Sequence, residues 1–323
     1  MSRTITVADI GGTHARFALA EVENGKVVAL GEPVVLATAN YASLPIAWQE
    51  FGRRAGIDLP DALGMAFAGP VDSEVLKLTN GLWEFRRLEF PDLLGVTECK
   101  IVNDFGSVAH AVAQLGPENF DHLCGPEGVW PEDGVTTVIG PGTGLGVAQL
   151  LRKAGSYDVV ETEGGHMDFA PFDELEDKIL DFLRRRLGRV SVERVVGGSG
   201  LKNLVDAIAS IRGKAAHYSD DRAVWAAAFE GSDQLAVTAL DRFFLSLGAV
   251  AGDLALAHGS NAVVIAGGLG YRLKDRLANS GFADRFISKG RFEWRMKCIP
   301  VKLVNHPQPG LYGAAAAFAK EHP

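Results

Sequence analysis

Short runs of alternating apolar and polar residues, separated by glycine-containing turns, dominate the N-terminal region and are typical of β-strands. Such runs occur at 5–8, 16–21 and 27–30, with glycine-containing turns at 9–13 and 24–25. Three strands joined by such short turns predict an antiparallel meander.

The pattern then changes to helical spacing over 43–56, and a buried-type strand follows at 63–67. A helix between two strands adds a crossover connection, so the N-terminal region is predicted to be mixed α/β.

A second strand, glycine turn and strand occur at 136–139, 140–144 and 145–151. In both hairpins the turn contains a threonine, Thr13 in the first and Thr143 in the second, and the chain resumes as a strand. We interpret this likeness as a weak internal duplication. Two similar halves, each with a glycine hairpin, would face each other across a cleft and hold the two ends of a polyphosphate.

Farther along the chain the pattern becomes more helical. Acids open the segment 173–187 and Arg184–Arg186 close it before Gly188, which complements a helix dipole. An apolar segment at 235–257 precedes a β-branched strand at 262–266, and this strand ends in two glycines. Such an ending leaves the backbone open to a ligand.

Composition and charge restrict the class of protein. The chain has 323 residues, 47% of them hydrophobic and 22% charged, which predicts a globular protein of two domains. Its net charge of -8 argues against nucleic acid as a partner, because phosphate backbones are bound by clustered Lys and Arg. The basic run Arg184–Arg186 is interpreted as a helix end.

Cysteine usage and hydropathy predict a cytoplasmic location. Cys99, Cys124 and Cys298 are odd in number and far apart, which indicates neither a disulfide framework nor a zinc site and fits a reducing cytosol. The N-terminus has no apolar signal core, and no uninterrupted apolar run reaches membrane-spanning length. We therefore expect no membrane partner.

The turn of the first hairpin is a candidate phosphate loop, Asp9-Ile10-Gly11-Gly12-Thr13. Glycines let successive backbone N–H groups converge on an anion, and Thr13 adds a hydroxyl donor. Asp9 is suited to hold Mg²⁺ through water, because Mg²⁺ keeps most of its water ligands. The alternative is a plain hairpin turn with a solvated aspartate.

The second glycine turn, Gly140 to Gly146, has neither the Gly-Lys-Ser/Thr ending of a P-loop nor the spacing of a dinucleotide fingerprint. Four alternating glycines at the start of a strand indicate a backbone that a ligand approaches closely. The alternative is that the glycines only permit curvature of the sheet.

Asn103 and Asp104 follow the predicted strand 99–102, at the carboxyl end where α/β sheets place ligands. A carboxylate there can accept the proton of an attacking hydroxyl. The alternative is that this pair serves only as a helix cap or turn.

A group of polar residues, Glu161, Glu163 and His166, flanks a glycine pair in a segment without clear periodicity. Carboxylates accept two hydrogen bonds each and imidazole offers one donor and one acceptor, which suits vicinal sugar hydroxyls. Metal binding is a competing interpretation, but no second histidine lies at a ligand spacing nearby. An exposed acidic loop is the remaining alternative.

In their order and spacing, these motifs resemble the bacterial glucokinases that lack zinc-binding cysteines, along essentially the whole chain. The motifs that carry the resemblance are Asp9 to Arg16, Ala68-Gly-Pro70, Leu78-Thr79-Asn80 with Trp83, Ile101 to Phe105, Gly140 to Gly146, Glu163 to Pro171, Val190 to Arg194 and Pro309-Gly-Leu311.

The resemblance implies an α/β protein with the two-domain actin-like ATPase (ribonuclease H-like) fold and an interdomain cleft. The expected small domain comprises 1–114 plus 304–323, and the large domain 115–303. It also implies ATP-dependent phosphorylation of glucose to glucose 6-phosphate in glycolysis, with Mg²⁺ as cofactor and a homodimer as the assembly.

The family's site residues can be placed on matching positions. Asp104 is expected to be the catalytic base, and Asn103, Asp104, Glu163, His166 and Glu193 to hold the sugar. The expected ATP contacts are Ala8, Asp9, Ile10, Gly11, Gly12, Thr13, Gly142, Thr143, Gly200, Gly267 and Gly268, and Asp9 is also the expected Mg²⁺ residue.

The chain departs from the family's pattern at two positions. Ala8 stands where a glycine is frequent, and Ser199 stands where the family tends to have proline between two glycines. The second departure leaves a different nucleotide preference open.

Three other functions remain open. They are a kinase for another hexose or amino sugar, a non-catalytic sugar sensor of the same fold, and a chaperone-like or filament-forming ATPase. The first phosphate loop begins at Asp9, which leaves no room upstream for the DNA-binding domain of a sugar-responsive regulator.

Overall fold

The computed structural model describes residues 2–78, 81, 83–128 and 130–323. Thr79 and Asn80, which belong to one of the motifs above, lie outside the described residues.

The strands in the described residues are β1 (Arg3–Ile10), β2 (His14–Glu23), β3 (Lys26–Leu30), β4 (Val34–Ala37), β5 (Ala62–Phe67), β6 (Val75–Lys77), β7 (Glu84–Arg86), β8 (Glu98–Asn103), β9 (Phe120–Cys124), β10 (Gly134–Pro141), β11 (Leu145–Lys153), β12 (Ser156–Thr162), β13 (Ala262–Ile265) and β14 (Val301–Val304). The α-helices there are α1 (Leu44–Ala55), α2 (Phe90–Leu94), α3 (Asp104–Gln114), α4 (Glu174–Leu187), α5 (Glu193–Val196), α6 (Gly200–Ile211), α7 (Asp221–Glu230), α8 (Gln234–His258), α9 (Gly267–Leu277), α10 (Phe282–Ile287), α11 (Glu293–Met296) and α12 (Pro309–Glu321).

Local sequence explains where the helices begin and end. Helix α1 has a proline in its first turn and ends at Gly56, which adopts the left-handed conformation that favours glycine. The Asp173 side chain caps α4 by accepting from the Glu176 N–H, and Arg184–Arg186 lie in its last turn. The helix predicted over 173–187 is therefore confirmed.

Packing divides the chain into two compact units. The first unit comprises Met1–Asn119, Val159–Glu161 and His306–Pro323, and the second comprises Phe120–Asp158 and Thr162–Asn305. The division into domains 1–114 plus 304–323 and 115–303 stays a prediction, because packing does not test whether each part folds independently.

The main sheet of the first unit has the strand order β3-β2-β1-β5-β8, with β4 also paired to β2. Strands β1 and β2 are antiparallel, whereas β5 is parallel to both β1 and β8. Side chains of β1 enter two different cores, because Ile5 and Val7 lie on one face and Ala8 and Ile10 on the other.

Helix α12 covers one face of this sheet and packs closely against α3. A Cβ atom on Gly313 would overlap the carbonyl oxygen of Ser107 in α3, so only glycine permits this approach. The Ser107 hydroxyl donates to the Gly310 carbonyl oxygen at 2.7 Å, which fixes the first turn of α12 against α3.

The main sheet of the second unit has the order β12-β11-β10-β13-β14-β9. Strands β10 and β11 are antiparallel, and β13 is parallel to both β10 and β14. This arrangement repeats that of β2, β1, β5 and β8 in the first unit. The duplication predicted from the two hairpins therefore extends to the sheets.

Helix α8 forms part of the core of the second unit. By length and composition it could cross a membrane, although 61% of its most apolar stretch is buried inside the protein, as in the core helices of soluble proteins. Asp241, Arg242 and Asp253 interrupt its apolar residues.

Candidate active site

Asp9 lies at the carboxyl end of β1, directly opposite Arg16 of β2. Arg16 Nη1 donates to Asp9 Oδ2 at 3.4 Å, and the Asp9 carboxylate is partly buried. Burial raises the pKa of the Asp9 carboxyl, and the charge of Arg16 opposes this rise. Arg16 had no role predicted from the sequence, although residues placed symmetrically about a hairpin turn are expected to pair.

The turn that follows Asp9 is held by Thr38. Its hydroxyl donates to the Gly12 carbonyl oxygen at 2.6 Å, and its N–H donates to the Thr13 carbonyl oxygen at 3.1 Å. Thr13 is exposed, and Gly11 and Gly12 are partly exposed. The predicted phosphate loop is therefore accessible and supported from one side. Nothing local in the sequence links Thr38 to a turn 25 residues earlier, so its role is visible only in the structure.

Two of the predicted ATP-binding residues, Ala8 and Ile10, have no side-chain atoms available to a nucleotide. The side chains of Ala8 and Ile10 are buried in the core, with 1% and 0% exposure. The Ile10 carbonyl oxygen already accepts from the Ala68 N–H at 2.9 Å. A nucleotide could meet these residues only through the remaining backbone groups.

The surroundings of Asp9 fit a magnesium ion held through water. The residue offers one partly buried carboxylate beside an accessible turn, and Mg²⁺ in phosphoryl-transfer sites takes one or two carboxylates plus waters and phosphates. No group of three or more His, Cys, Asp or Glu that could form an all-protein metal cage occurs among the described residues.

Asn103 and Asp104 stand where β8 ends and α3 begins. The Asn103 side-chain oxygen accepts from the N–H groups of Phe105 at 2.9 Å and Gly106 at 3.3 Å, so Asn103 is the helix cap. The Asp104 Oδ1 atom also accepts from the Phe105 N–H at 2.9 Å. The helix cap considered as an alternative is therefore present, and it shares the Phe105 N–H donor with the candidate base.

The Asn103 amide group donates to the Gly69 carbonyl oxygen at 3.3 Å. Because the Asn103 oxygen serves the cap, contact with a sugar would use its amide hydrogens. Gly69 belongs to the Ala68-Gly-Pro70 motif, for which the sequence analysis found no role.

Glu161, which the sequence groups with Glu163 and His166, has a partner at the start of α3. It belongs to β12, and its Oε1 atom accepts from the Asn103 N–H at 2.8 Å within the first unit. A Cβ atom on Gly106 would overlap this carboxylate, which explains the glycine in the first turn of α3.

In the second unit, the turn between β10 and β11 carries Gly142 and Thr143. The Gly142 N–H donates to the Gly144 carbonyl oxygen at 2.9 Å, Thr143 is exposed, and a Cβ atom on Gly142 would meet open space. A Cβ atom on Gly144 would lie 2.7 Å from Glu193 Oε2, so this glycine makes room for a predicted sugar-binding carboxylate.

The remaining predicted ATP contacts, Gly200, Gly267 and Gly268, lie on two segments packed against this turn. The Gly198 N–H donates to the Thr143 carbonyl oxygen at 3.1 Å, and α6 starts two residues later at the buried Gly200. Gly267 has a φ of 86°, and a Cβ atom there would lie 3.0 Å from the Pro141 carbonyl oxygen. Gly268 is exposed in the first turn of α9. The structure therefore brings all three glycine segments of the second unit together.

His166 stands between two carboxylates. Its Nε2 atom lies 3.9 Å from Glu163 Oε2, and its Nδ1 atom lies 3.7 Å from Glu193 Oε1. The Glu163 and His166 side chains are 70% and 56% exposed, whereas Glu193 is 20% exposed. The two carboxylates and the imidazole lie together on an accessible surface and can form hydrogen bonds to several hydroxyl groups of a polyol.

The glycine pair before His166 permits close packing on β11. A Cβ atom on Gly165 would overlap the Leu145 carbonyl oxygen, and one on Gly164 would lie 3.0 Å from Val147. This contact fixes Glu163 and His166 against the end of the glycine hairpin.

Comparison with known proteins identifies the family of this chain. The family model for glucokinase matches residues 6–321. A glucokinase of Zymomonas mobilis subsp. mobilis is 56% identical over 318 residues, which cover 98% of each chain.

Solved structures show the same fold. The crystal structure of a glucokinase from an Antarctic psychrotroph superposes with a TM-score of 0.84 at 34% identity, covering 98% of each chain. A ROK family glucokinase from Streptomyces griseus, solved with glucose and AMPPNP, has a TM-score of 0.62 at 20% identity over 97% of this chain and 98% of its own, which is a likeness of fold. The predicted α/β actin-like ATPase fold is confirmed. From the family model and the identity to curated relatives, the chain belongs to the glucokinase family.

Proposed function

We propose that this chain transfers the γ-phosphoryl group of ATP to the 6-hydroxyl of glucose, with Asp104 as the general base. Membership of the glucokinase family makes it an ATP:glucose phosphotransferase. The observation that carries the base assignment is the position of Asp104, which opens α3 directly after the carboxyl end of β8 and accepts from the Phe105 N–H.

Asp104 acts by accepting the proton that the 6-hydroxyl loses as its oxygen attacks the γ-phosphorus. Phosphoryl transfer needs alignment and charge stabilisation more than covalent chemistry, so the orientation of this carboxylate matters as much as its basicity. The hydrogen bond from the Phe105 N–H to Asp104 Oδ1 restricts that orientation.

Glu163, His166 and Glu193 are proposed to bind the remaining hydroxyls, together with Asn103. Their spacing of 3.7 to 3.9 Å about the imidazole supports binding of neighbouring hydroxyl groups. A site whose polar groups are paired only by the correct hydroxyls rejects analogues that lack them, by about 10⁴ or more. A sugar with an inverted hydroxyl is expected to be a poor substrate.

The two glycine turns are proposed to bind ATP. The first turn would contribute Gly11, Gly12 and Thr13, and the second would contribute Gly142 and Thr143. The exposed threonines and the open space at Gly142 support this assignment. Asp9 would hold Mg²⁺ through water, and the ion, when bound, neutralises charge on the transferring phosphate.

The decisive experiment measures ADP release from MgATP with a panel of hexoses, for the wild type and Asp104→Ala. Glucose should stimulate turnover in the wild type, and the variant should lose about 10² to 10⁴ in kcat, the usual contribution of a general base. Asp92→Ala is a matched control, because Asp92 also lies in the first turn of a helix of the same unit. It should keep wild-type kcat.

Other outcomes would favour the competing functions. Preferential turnover of mannose or glucosamine would indicate a kinase for another sugar. Binding of glucose without turnover would indicate a sensor, and ATP hydrolysis independent of sugar would indicate a chaperone-like or filament-forming ATPase. Full activity of Asp104→Ala would remove Asp104 as the base.

Several finer features are also proposed: a homodimer, a cytoplasmic location and a role in glycolysis. The homodimer and glycolysis rest on family membership, and the location on the cysteine pattern. Sedimentation equilibrium that gives a monomer mass would contradict the dimer, and recovery of the protein in a membrane fraction would contradict the location.

A further inference from the structure

The segment that carries His166 pairs with the segment that leads to Glu193. The Phe169 N–H donates to the Val190 carbonyl oxygen at 3.0 Å, and the Val192 N–H donates to the Met167 carbonyl oxygen at 2.8 Å. Asp168 and Ser191 form an antiparallel bridge between these two bonds. This short pairing sets the relative position of His166, just before it, and Glu193, just after it.

Arg189 lies at one end of this paired region and makes two side-chain contacts across it. Its Nε atom lies 2.7 Å from Asp168 Oδ1, and its Nη2 atom donates to the His166 carbonyl oxygen at 2.5 Å. That carbonyl belongs to the last residue of the 3₁₀ turn Gly164–His166. The carbonyl groups at the end of a helical turn lack partners within the turn and favour a nearby cation.

We propose that Arg189 is a positioning residue for sugar binding, which holds the backbone of His166 so that its imidazole stays between Glu163 and Glu193. The proposal rests on the proposed function, in which these three residues bind the sugar. Arg189 itself does not touch the substrate. It acts through the His166 carbonyl and the Asp168 carboxylate.

The high exposure of the Arg189 and Asp168 side chains distinguishes a role in positioning His166 from a role in stabilising the fold. The Arg189 and Asp168 side chains are 60% and 75% exposed, and ion pairs at such positions contribute little to the stability of the fold. Loss of Arg189 should therefore leave the protein folded. Its effect should appear where the orientation of His166 matters, in the affinity for the sugar.

The test compares Arg189→Met and Arg189→Lys with the wild type, by melting temperature, kcat and the KM values for glucose and ATP. Arg189→Met should raise the KM for glucose about tenfold, the effect expected when one charge-assisted hydrogen bond to a carbonyl is lost. The KM for ATP and the melting temperature should stay near those of the wild type. Arg189→Lys should recover part of the loss, because an ammonium can still reach one of the two partners.

Arg185→Met is the matched control, because it removes another exposed arginine that pairs with an aspartate, Asp181 at 2.7 Å. It should change neither KM. The proposal is overturned if Arg189→Met behaves like this control, if both KM values rise equally, or if the melting temperature falls enough to explain the loss. A wild type that phosphorylates no sugar would instead overturn the proposed function on which the inference rests.

Discussion

At the scale of single residues, the pair Asp9 and Arg16 determines the ionisation of the proposed Mg²⁺ site. Burial raises the pKa of Asp9, and Arg16 opposes the rise. Because only the ionised carboxylate attracts a water-coordinated Mg²⁺, activity should fall as the pH drops through this raised pKa. The fall should therefore occur above the range of an ordinary aspartate, whose pKa is about 3.9.

Arg16→Met should shift this loss of activity, the acidic limb of the pH–activity profile, to higher pH. The substitution removes the charge that lowers the pKa of Asp9. The measurement is kcat/KM for MgATP between pH 4.5 and 8 at fixed Mg²⁺. Arg53→Met, which removes an exposed arginine paired with Glu50, should leave the limb where it is. A limb that stays in place or moves to lower pH in Arg16→Met would contradict the electrostatic account.

At the scale of elements, each half of the protein uses the same device, an antiparallel hairpin whose glycine turn is supported by a distant segment. In the first unit Thr38 bonds the Gly12 carbonyl oxygen, and in the second unit Gly198 bonds the Thr143 carbonyl oxygen. Support from outside the hairpin reduces the freedom of the turn before a phosphate binds, which lowers the entropy cost of binding.

Thr38→Val should therefore raise the KM for MgATP with little change in the KM for glucose. Valine keeps the shape of the side chain but leaves the Gly12 carbonyl oxygen without the hydroxyl donor, and a net hydrogen bond of about 1 kcal/mol predicts a rise of about fivefold. Steady-state kinetics with each substrate varied would measure it.

Thr97→Val is the control, since the Thr97 hydroxyl bonds Asp61 on the surface of the same unit. Equal KM values for MgATP in both variants would show that Thr38 does not support the turn.

At the scale of the whole molecule, residues from both ends of the chain build the first unit. Helix α12 packs on β1, β2 and β5 and lies against α3, the helix that begins with Asp104. A Cβ atom on Gly313 would overlap the Ser107 carbonyl oxygen, so the C-terminal helix packs directly on α3 and also stabilises the element that presents the candidate base.

Gly313→Ala should destabilise the protein strongly, because the added methyl group overlaps backbone and the two helices must separate. Overpacking in a core costs about 1–3 kcal/mol, so a clear fall in the apparent melting temperature is expected. The exposed Lys320→Ala on the same helix should change stability by less than about 0.5 kcal/mol. A melting temperature unchanged by Gly313→Ala would mean that α12 packs less closely than described.

The sequence by itself determined the elements whose signals are local. Hairpin β1–β2, the capped helix α4 and the buried strand β13 follow from residue periodicity and turn chemistry within a few positions. It also determined the family, because that resemblance rests on the order and spacing of motifs along one chain.

Only the tertiary structure decided which distant residues meet. Glu161 bonds the backbone of Asn103 across 58 positions, and Arg189 holds the carbonyl of a residue 23 positions earlier. Thr38 reaches back across 26 positions to the Gly12 carbonyl. Periodicity and turn propensity act over a few residues, whereas these contacts form only when packing of the sheets and helices brings separate segments together.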